Sequence, residues 1–590
     1  MYKFKDQSNT SQIRRIWLFI GSKRRKQFCT LFLLTLVCTV FEVINLGAVV
    51  PFIRSITNPR ELMSSDFTSN LFSSIGVSSE SEIVIFISFV FALTAIISGV
   101  LRLVLLWFSV KIGSLTGAEL SVEIYRRTLY QPYRVHVARN SSEVISGMTQ
   151  KVDVATSVLV SATTVVTYFI IAAAIIGLVI ALNPVAALIV ITCFGSAYLL
   201  VTLMVRRKLI SNGKTIAQGQ TKIVRALQEG LGAIRDVLLD GTQGVYCNIY
   251  QDAIVQLRSA SGNNLFLNQA PRYAMESFGI LVIVVSVVYL SKSSHNIVSN
   301  LPFLATLGMA AQRLLPLMQQ IYGNWAVVIG GKAVLGEVIE LLNQTLPTDV
   351  LTSGGRDLTF KKSIEFKDVW FKYEERGEYV LKGLSFIIPK GAHVGIIGAT
   401  GCGKSTVIDL LAGLLLPTKG EILIDGNVLD EQRIRSWQKN VSHVPQTIFL
   451  SDATIAENIA FGIPDIDIKL ENVEKYAKMA QLSDLISSRN GGFSAVVGER
   501  GLLLSGGQRQ RIGIARALYK EASVIILDEA TNALDEQTEL QVMKSVYNIE
   551  NRPTLFIVSH RLSAIKNCDF FIKIANSIAV KCSRSDAEQL

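Results

Sequence analysis

The chain has 590 residues, enough for three or more domains of ordinary size, and a net charge of +11. Hydrophobic residues make up 49% and charged residues 18%, a balance too apolar for a soluble protein of this length and one that points to several membrane spans. The basic excess fits either nucleic-acid binding or the flanks of membrane helices; Lys and Arg cluster beside the apolar runs, which favours the second, with no nucleic-acid partner.

The N-terminal stretch MYKFKDQSNTSQIRRIWLF is basic but has no short apolar core ending in a small-residue cleavage site, so no removable signal peptide is expected. Six apolar runs follow, near 28–53, 83–110, 157–182, 184–205, 273–291 and 301–329, each close to the ~20 residues that cross hydrocarbon. Asn183-Pro184 leaves almost no loop between the third and fourth, which predicts a tight hairpin. The connections 111–156 and 206–272 carry charges at helical spacing and are expected to continue as helices beyond the membrane. Lys and Arg crowd the segments before span one and within both long connections, so both termini and both connections are assigned to the cytoplasm. In the external segment 55–82, Phe67, Leu71, Phe72 and Ile75 fit one helical face, either lying on the outer surface or packing on neighbours. Seven scattered cysteines include no CxxC pair, so neither a disulfide framework nor a metal-thiolate site is expected.

From residue 364 short strands alternate with helices, the pattern of an α/β domain. An apolar strand runs into GATGCGKS, Gly398 to Ser405, and straight into a helix: the P-loop pattern in its strand–loop–helix context. Its glycines let backbone N–H groups wrap phosphates, Lys404 supplies a cation, and Ser405 supplies a hydroxyl for Mg²⁺. LSGGQRQRIGIARAL, from Leu504, precedes ASVIILDEATNALD, where Val524 to Leu527 suit a buried strand ending in the magnesium-binding carboxylate of Asp528. Glu529 follows at the strand tip, where a general base for water would stand.

With these motifs together the sequence resembles the ATP-binding cassette (ABC) transporters. The resemblance implies a multidomain membrane protein: an all-α six-helix transmembrane domain of the type I exporter (type IV ABC) fold over 1–335, a linker over 336–360, and an α/β P-loop nucleotide-binding domain over 361–590. It implies ATP and Mg²⁺ as cofactors, with ATP held by Tyr373, Gly398, Gly401, Gly403, Lys404, Ser405, Thr406 and Gln446. Ser505, Gly506, Gly507, Gln508 and Asp535 complete the ATP site, with LSGGQ closing over nucleotide held on the other subunit's P-loop. Ser405, Gln446 and Asp528 would hold Mg²⁺, while Glu529, His560 and Lys404 would be catalytic, His560 sensing the γ-phosphate. Every such position is filled, so the chain is expected to hydrolyse ATP as well as bind it. Asn576-Ser577, where a glycine turn is common in the family, is a departure confined to the C-terminal tail.

One chain carries one cassette and a composite site needs two, which favours a homodimer over a heterodimer. The segments 141–150 and 231–241 occupy the family's coupling-helix places. Three arginines, Arg102, Arg272 and Arg313, fall in or at the ends of spans, Arg272 near the inner boundary of span five. By a rise of ~1.5 Å per residue, Arg313 lies about 18 Å and Arg102 about 28 Å from the outer helix ends. Arg102 and Arg272 either snorkel or pair, Glu276 being one turn from Arg272; Arg313 is too deep to snorkel and should face a watery cavity or a buried acid such as Glu42. Three cations on an internal cavity suit an amphiphile with a phosphate-bearing head.

FEVINLGAVVPFI in span one, a charge in span two, PRY with Glu276 and Gly279 in span five, and RLLP in span six resemble the PglK-type flippases of lipid-linked oligosaccharides. That likeness implies ATP-driven movement of a pyrophosphate-linked polyprenyl oligosaccharide from the cytoplasmic to the outer leaflet of a bacterial-type inner membrane, with Arg102, Arg272, Arg313 and Glu42 at the substrate. The competing readings are a peptide or hydrophobic-drug exporter, and a non-pumping ATP-dependent regulator or channel. A soluble repair-type ATPase with the same cassette is excluded by six apolar spans.

Overall fold

Long apolar runs give helices of great length, three of them with an internal proline, Pro51, Pro271 or Pro316. The computed structural model describes residues 9–57, 79–182, 184–293, 301–346, 358–374, 376–559 and 561–582. The helices are α1 (Asn9–Phe19), α2 (Ser22–Thr57), α3 (Glu80–Leu129), α4 (Tyr133–Ala138) and α5 (Ser141–Ser146), the last running through one π-helical turn into α6 (Val152–Leu182). Then come α7 (Pro184–Gly232), α8 (Ile234–Leu239), α9 (Gln243–Ser293), α10 (Leu301–Gly330) and α11 (Lys332–Leu342). Four stretches are long and apolar enough to cross a membrane, Ser22–Ile53, Glu80–Leu129, Ser141–Ala181 and Ala187–Gly232, among the described residues. The fifth and sixth expected spans fall within α9 and α10, of 51 and 30 residues. The external face carrying Phe67, Leu71, Phe72 and Ile75 lies outside the described residues.

The chain divides into two units, one of residues 1–131 and 139–345, the other of 132–138 and 346–590. In the first, α3 and α6 approach at Gly113 and Gly117, one turn apart, where a Cβ would collide with Val160 and Thr156. Small residues at this spacing let the two helix backbones pack closely. Some polar side chains along the spans bond their own helices: Thr35 donates to Leu31 O (2.9 Å) and Thr39 to Thr35 O (2.8 Å). Part of the expected linker is helical, since 336–342 closes α11. There Leu335, Val338, Ile339 and Leu342 are buried with Ile16 and Ile124 of the same unit.

The second unit holds two sheets. An antiparallel one is ordered β2 (Leu381–Pro389), β1 (Ser363–Phe371), β4 (Lys419–Ile424), β5 (Asn427–Val428). The six-stranded sheet runs β10 (Ile578–Cys582), β9 (Phe570–Ala575), β3 (His393–Ile397), β8 (Thr554–Val558), β7 (Val524–Asp528), β6 (Val441–Val444). Strands β3, β7 and β8 are continuous apolar runs, buried on both faces, as parallel central strands require. The pairings Ile396↔Val558 and Val558↔Asp528 put the carboxyl ends of β3, β8 and β7 in one row. Segments leaving those ends share one edge of the sheet, where ligands of open α/β sheets bind. Asn576 and Ser577 turn β9 into β10 with φ of 50° and 64°, so the hairpin adopts left-handed geometry without glycine.

The short helix α4 belongs to the cassette unit, with Arg134 Nη2 donating to the Tyr373 carbonyl at 2.7 Å. Residues 141–150 and 231–241, expected to dock on cassettes, belong to the other unit.

Candidate functional site

Gly398, Gly401 and Gly403 all have positive φ, which the P-loop needs to curl back on itself before the helix Lys404–Leu411, here α12. Lys404 Nζ reaches across the curl to the carbonyls of Gly398 (2.7 Å) and Ala399 (3.0 Å). Thr406 is buried in the first turn, and its hydroxyl lies 3.1 Å from the Tyr373 hydroxyl. Tyr373 packs edge-on against Phe371 and stays partly exposed beside the loop. Ser405 is exposed in that same first turn.

Asp528 ends β7 half-buried, and its pKa is raised by burial first and Glu529 second, against the pull of Lys404. The oxygen donors of Asp528, Ser405 and Gln446 make a hard-ligand set suited to Mg²⁺. A carboxyl pushed toward its neutral form by burial is also one that a cation would return to its charged form, so these residues fit the ion.

Glu529 leaves the strand with φ of 50°, its N–H donating to Val558 O (2.9 Å). Its Oε2 accepts from Gln446 Nε2 (2.8 Å) and from Asn532 Nδ2 (2.8 Å). A left-handed backbone at a non-glycine residue costs ~1–3 kcal/mol and persists where its surroundings hold it. Gln446 and Asn532 supply that hold. His560 lies outside the described residues.

Ser505 and Gln508 form a capping box at the head of α13 (Gly506–Tyr519): Gln508 N donates to Ser505 Oγ (3.2 Å) and Ser505 N to Gln508 Oε1 (2.9 Å). The sequence LSGGQ is thus also a helix N-terminus, with a favourable dipole for anions. Gly507 passes so near Ala533 O that a Cβ would sit 2.9 Å from it. Asp535 caps the following helix, α14 (Glu536–Tyr547), by accepting from Thr538 N (2.9 Å), and this hydrogen bond holds its pKa down.

Two connecting residues escaped the sequence reading. Buried Gln510 accepts from Ala533 N (2.8 Å) and reaches Glu529 O (3.5 Å), tying α13 to the segment between β7 and α14. Arg561 grips the same segment through Asn532 O (3.0 Å), Leu534 O (3.0 Å) and buried Glu539 (3.3 Å). Their signal in the sequence is only adjacency to known motifs.

In the membrane unit the arginines separate. Arg102 pairs with Glu42, which also accepts from Ser98 Oγ (2.8 Å). Of the two expectations for Arg313, a cavity or a buried acid such as Glu42, the ion pair of Glu42 is taken by Arg102, because α2 packs along α3. Arg313 and Arg102 nevertheless line one cavity of about 300 Å³, together with Glu42, Tyr168 and Gln320 and otherwise mostly apolar walls. Arg272 pairs with Glu276 at 2.9 Å and lines a second cavity of about 420 Å³. Gln320 lines both.

A P-loop cassette continuous with a long-helix membrane unit defines an ATP-dependent transporter class of fold. Residues 381–532 match the family described as ABC transporter, and residues 46–309 match the ABC transporter transmembrane region. The chain belongs to the ABC transporters. An ATP-dependent lipid A-core flippase of Chromohalobacter salexigens is 31% identical over 59% of this chain and 61% of its own length. Multidrug resistance protein 1 of Entamoeba histolytica is 40% identical over 35% of this chain but 16% of its own length. These matches therefore span less than two thirds of either relative. The structure of a bacterial Atm1-family ABC exporter with ATP bound shares the fold, with a TM-score of 0.77 and 22% identity over 96% of each chain.

Proposed function

We propose that the protein is an ATP-hydrolysing exporter of the inner membrane that works as a homodimer and flips a lipid-linked oligosaccharide, joined through pyrophosphate to a polyprenyl chain, to the outer leaflet. The observation that carries the cargo reading is the cavity shared by Arg102 and Arg313. Its two guanidiniums stand beside one carboxylate, a positive balance, and its remaining walls are mostly apolar. That is the combination a phosphate-bearing head on a hydrocarbon tail requires. The similarity to the lipid A-core flippase of Chromohalobacter salexigens supports a lipid cargo in general terms.

In the cassette, the P-loop and α12 bind the triphosphate of ATP, with Lys404 leaving its loop carbonyls for phosphate oxygens. Mg²⁺ held by Ser405, Asp528 and Gln446 would neutralise charge on the transferred phosphoryl group. Glu529 accepts the proton of attacking water, and Gln446 and Asn532 keep its carboxylate oriented. Ser505, Gly506 and Gly507 of a second copy close the site, so that hydrolysis and dimer closure are coupled. Closure drives the long helices, which move the cargo site between leaflets.

The test is reconstitution of the full chain in liposomes with a fluorescent lipid-linked oligosaccharide, a phospholipid and a cationic dye in parallel. ATP-dependent movement of the first alone is expected. Replacing Arg102, Arg272 and Arg313 together should abolish flipping while basal ATPase survives; unchanged flipping would overturn the cargo reading.

A further inference from the structure

The cavity holding Arg272 differs in chemistry from the one holding Arg102 and Arg313. Five carboxamide side chains line it: Asn268, Gln269, Gln319, Gln320 and Asn324. Gln319, Gln320 and Asn324 fall within the sixth span, where such groups are costly unless used, and Asn268 and Gln269 lie just before the fifth. Each carboxamide offers two donors and an acceptor, and few of these are consumed internally. Asn268 donates to Gly323 O (3.1 Å) and Asn324 to Gln320 O (2.8 Å) and, at 3.5 Å, to Gln320 Oε1, while no side-chain hydrogen bond of Gln269 or Gln319 is formed among the described residues.

Position adds to this. On α9, Asn268 and Arg272 stand one turn apart, and Tyr273 also lines the cavity. On α10, Gln320 lies ten residues before Gly330, about 15 Å from the helix end assigned to the cytoplasm. A cargo entering from the cytoplasmic leaflet would meet this cavity with its polar end. Because Gln320 also lines the Arg102/Arg313 cavity, the two form adjoining compartments, one charged and greasy, the other neutral and rich in hydrogen-bonding groups.

We propose that the cavity of about 420 Å³ between α9 and α10 is a carbohydrate subsite, in which the carboxamides hydrogen-bond the hydroxyl and amide groups of the glycan while the neighbouring arginines hold its diphosphate. The volume is within the ~300–1,000 Å³ of small-molecule sites. Paired donors and acceptors match sugar hydroxyls, which also donate and accept. An exposed guanidinium neutralised by Glu276 adds donors with little net charge. The inference rests on the lipid-linked oligosaccharide reading and assigns its sugar a place.

The experiment measures ATPase stimulation of the full-length protein in nanodiscs by three probes: a short-chain polyprenyl diphosphate, the same lipid carrying a disaccharide with an N-acetyl group, and a tripeptide. The parent protein should respond to the glycosylated probe at lower concentration. In Gln319→Ala/Asn324→Ala that half-saturating concentration should rise about tenfold, the loss of two hydrogen bonds, while the response to the bare diphosphate stays unchanged. Equal weakening of both lipid probes, or of neither, would overturn the subsite and leave the cargo reading standing. Stimulation of the parent by neither lipid probe would overturn the cargo reading and the subsite with it. Stimulation by a tripeptide that the double variant loses would assign the carboxamides to peptide and overturn the carbohydrate subsite.

Discussion

Glu42 on α2 and Arg102 on α3 form an ion pair in which the carboxylate is buried, at 3% exposure, and the guanidinium is half open, at 50%. The asymmetry makes the two partners unequal. Loss of Arg102 strands a buried carboxylate whose other donor is the Ser98 hydroxyl, whereas loss of Glu42 leaves a cation facing a cavity. Arg102→Met should therefore destabilise the membrane unit by about 3 kcal/mol, Glu42→Gln by clearly less, and the double variant should recover part of the loss. Thermal unfolding in nanodiscs reads all three. Equal losses in the single variants would show that cavity access does not set the difference.

Glu529 accepts two hydrogen bonds on Oε2, from Gln446 and Asn532. A glutamine keeps an acceptor oxygen there while lacking the basicity to take a proton from water. Glu529→Gln should bind ATP as the parent does and release phosphate about 10²–10⁴-fold more slowly. Filter binding of labelled ATP and phosphate release together separate the two effects. Hydrolysis within threefold of the parent would remove Glu529 from the role of base.

The cassette was legible because its information is local. Gly398 to Ser405 specify their own curl, Val524 to Leu527 their own buried strand, and Ser505 with Gln508 their own cap. Helix rotation and register are not local. The sequence places Glu42, Arg102 and Arg313 at membrane depth, but which carboxylate meets which guanidinium depends on how α2, α3 and α10 are turned about their axes. The same holds for α4: Arg134 meets the Tyr373 carbonyl through a docking that no neighbouring residue announces, while the more periodic 141–150 lies in the other unit. Gln510 and Arg561 act through carbonyls, which carry no sequence signature at all.

Pro271 interrupts α9, so the Leu267 carbonyl loses its helical donor four residues on. Tyr322 of α10 fills the gap, donating its hydroxyl to Leu267 O at 2.8 Å. Tyr322 is buried, so water has little access to replace that donor. Tyr322→Phe should destabilise the protein by about 1–3 kcal/mol, and adding Pro271→Ala should restore most of it by returning a backbone N–H. Thermal unfolding of the two single variants and the double gives the coupling. Additive effects would show that the hydroxyl and the proline act independently.

Asp409, in α12, has its pKa pushed up to about 6, by burial first and by Asp528 second, from the ordinary 3.8. The folded protein thus holds this proton more tightly than the unfolded chain. Between about pH 4 and pH 6 the native state binds more protons, so stability falls as pH rises through that window, and the loss is complete above it. Asp409→Asn keeps the shape and removes the charge, so the nucleotide-free variant should unfold at a higher temperature than the parent at about pH 7.5. The advantage should shrink at about pH 5, where the parent's carboxyl is already mostly neutral. An advantage of the same size at both values would mean that packing, rather than the buried charge, separates the two proteins.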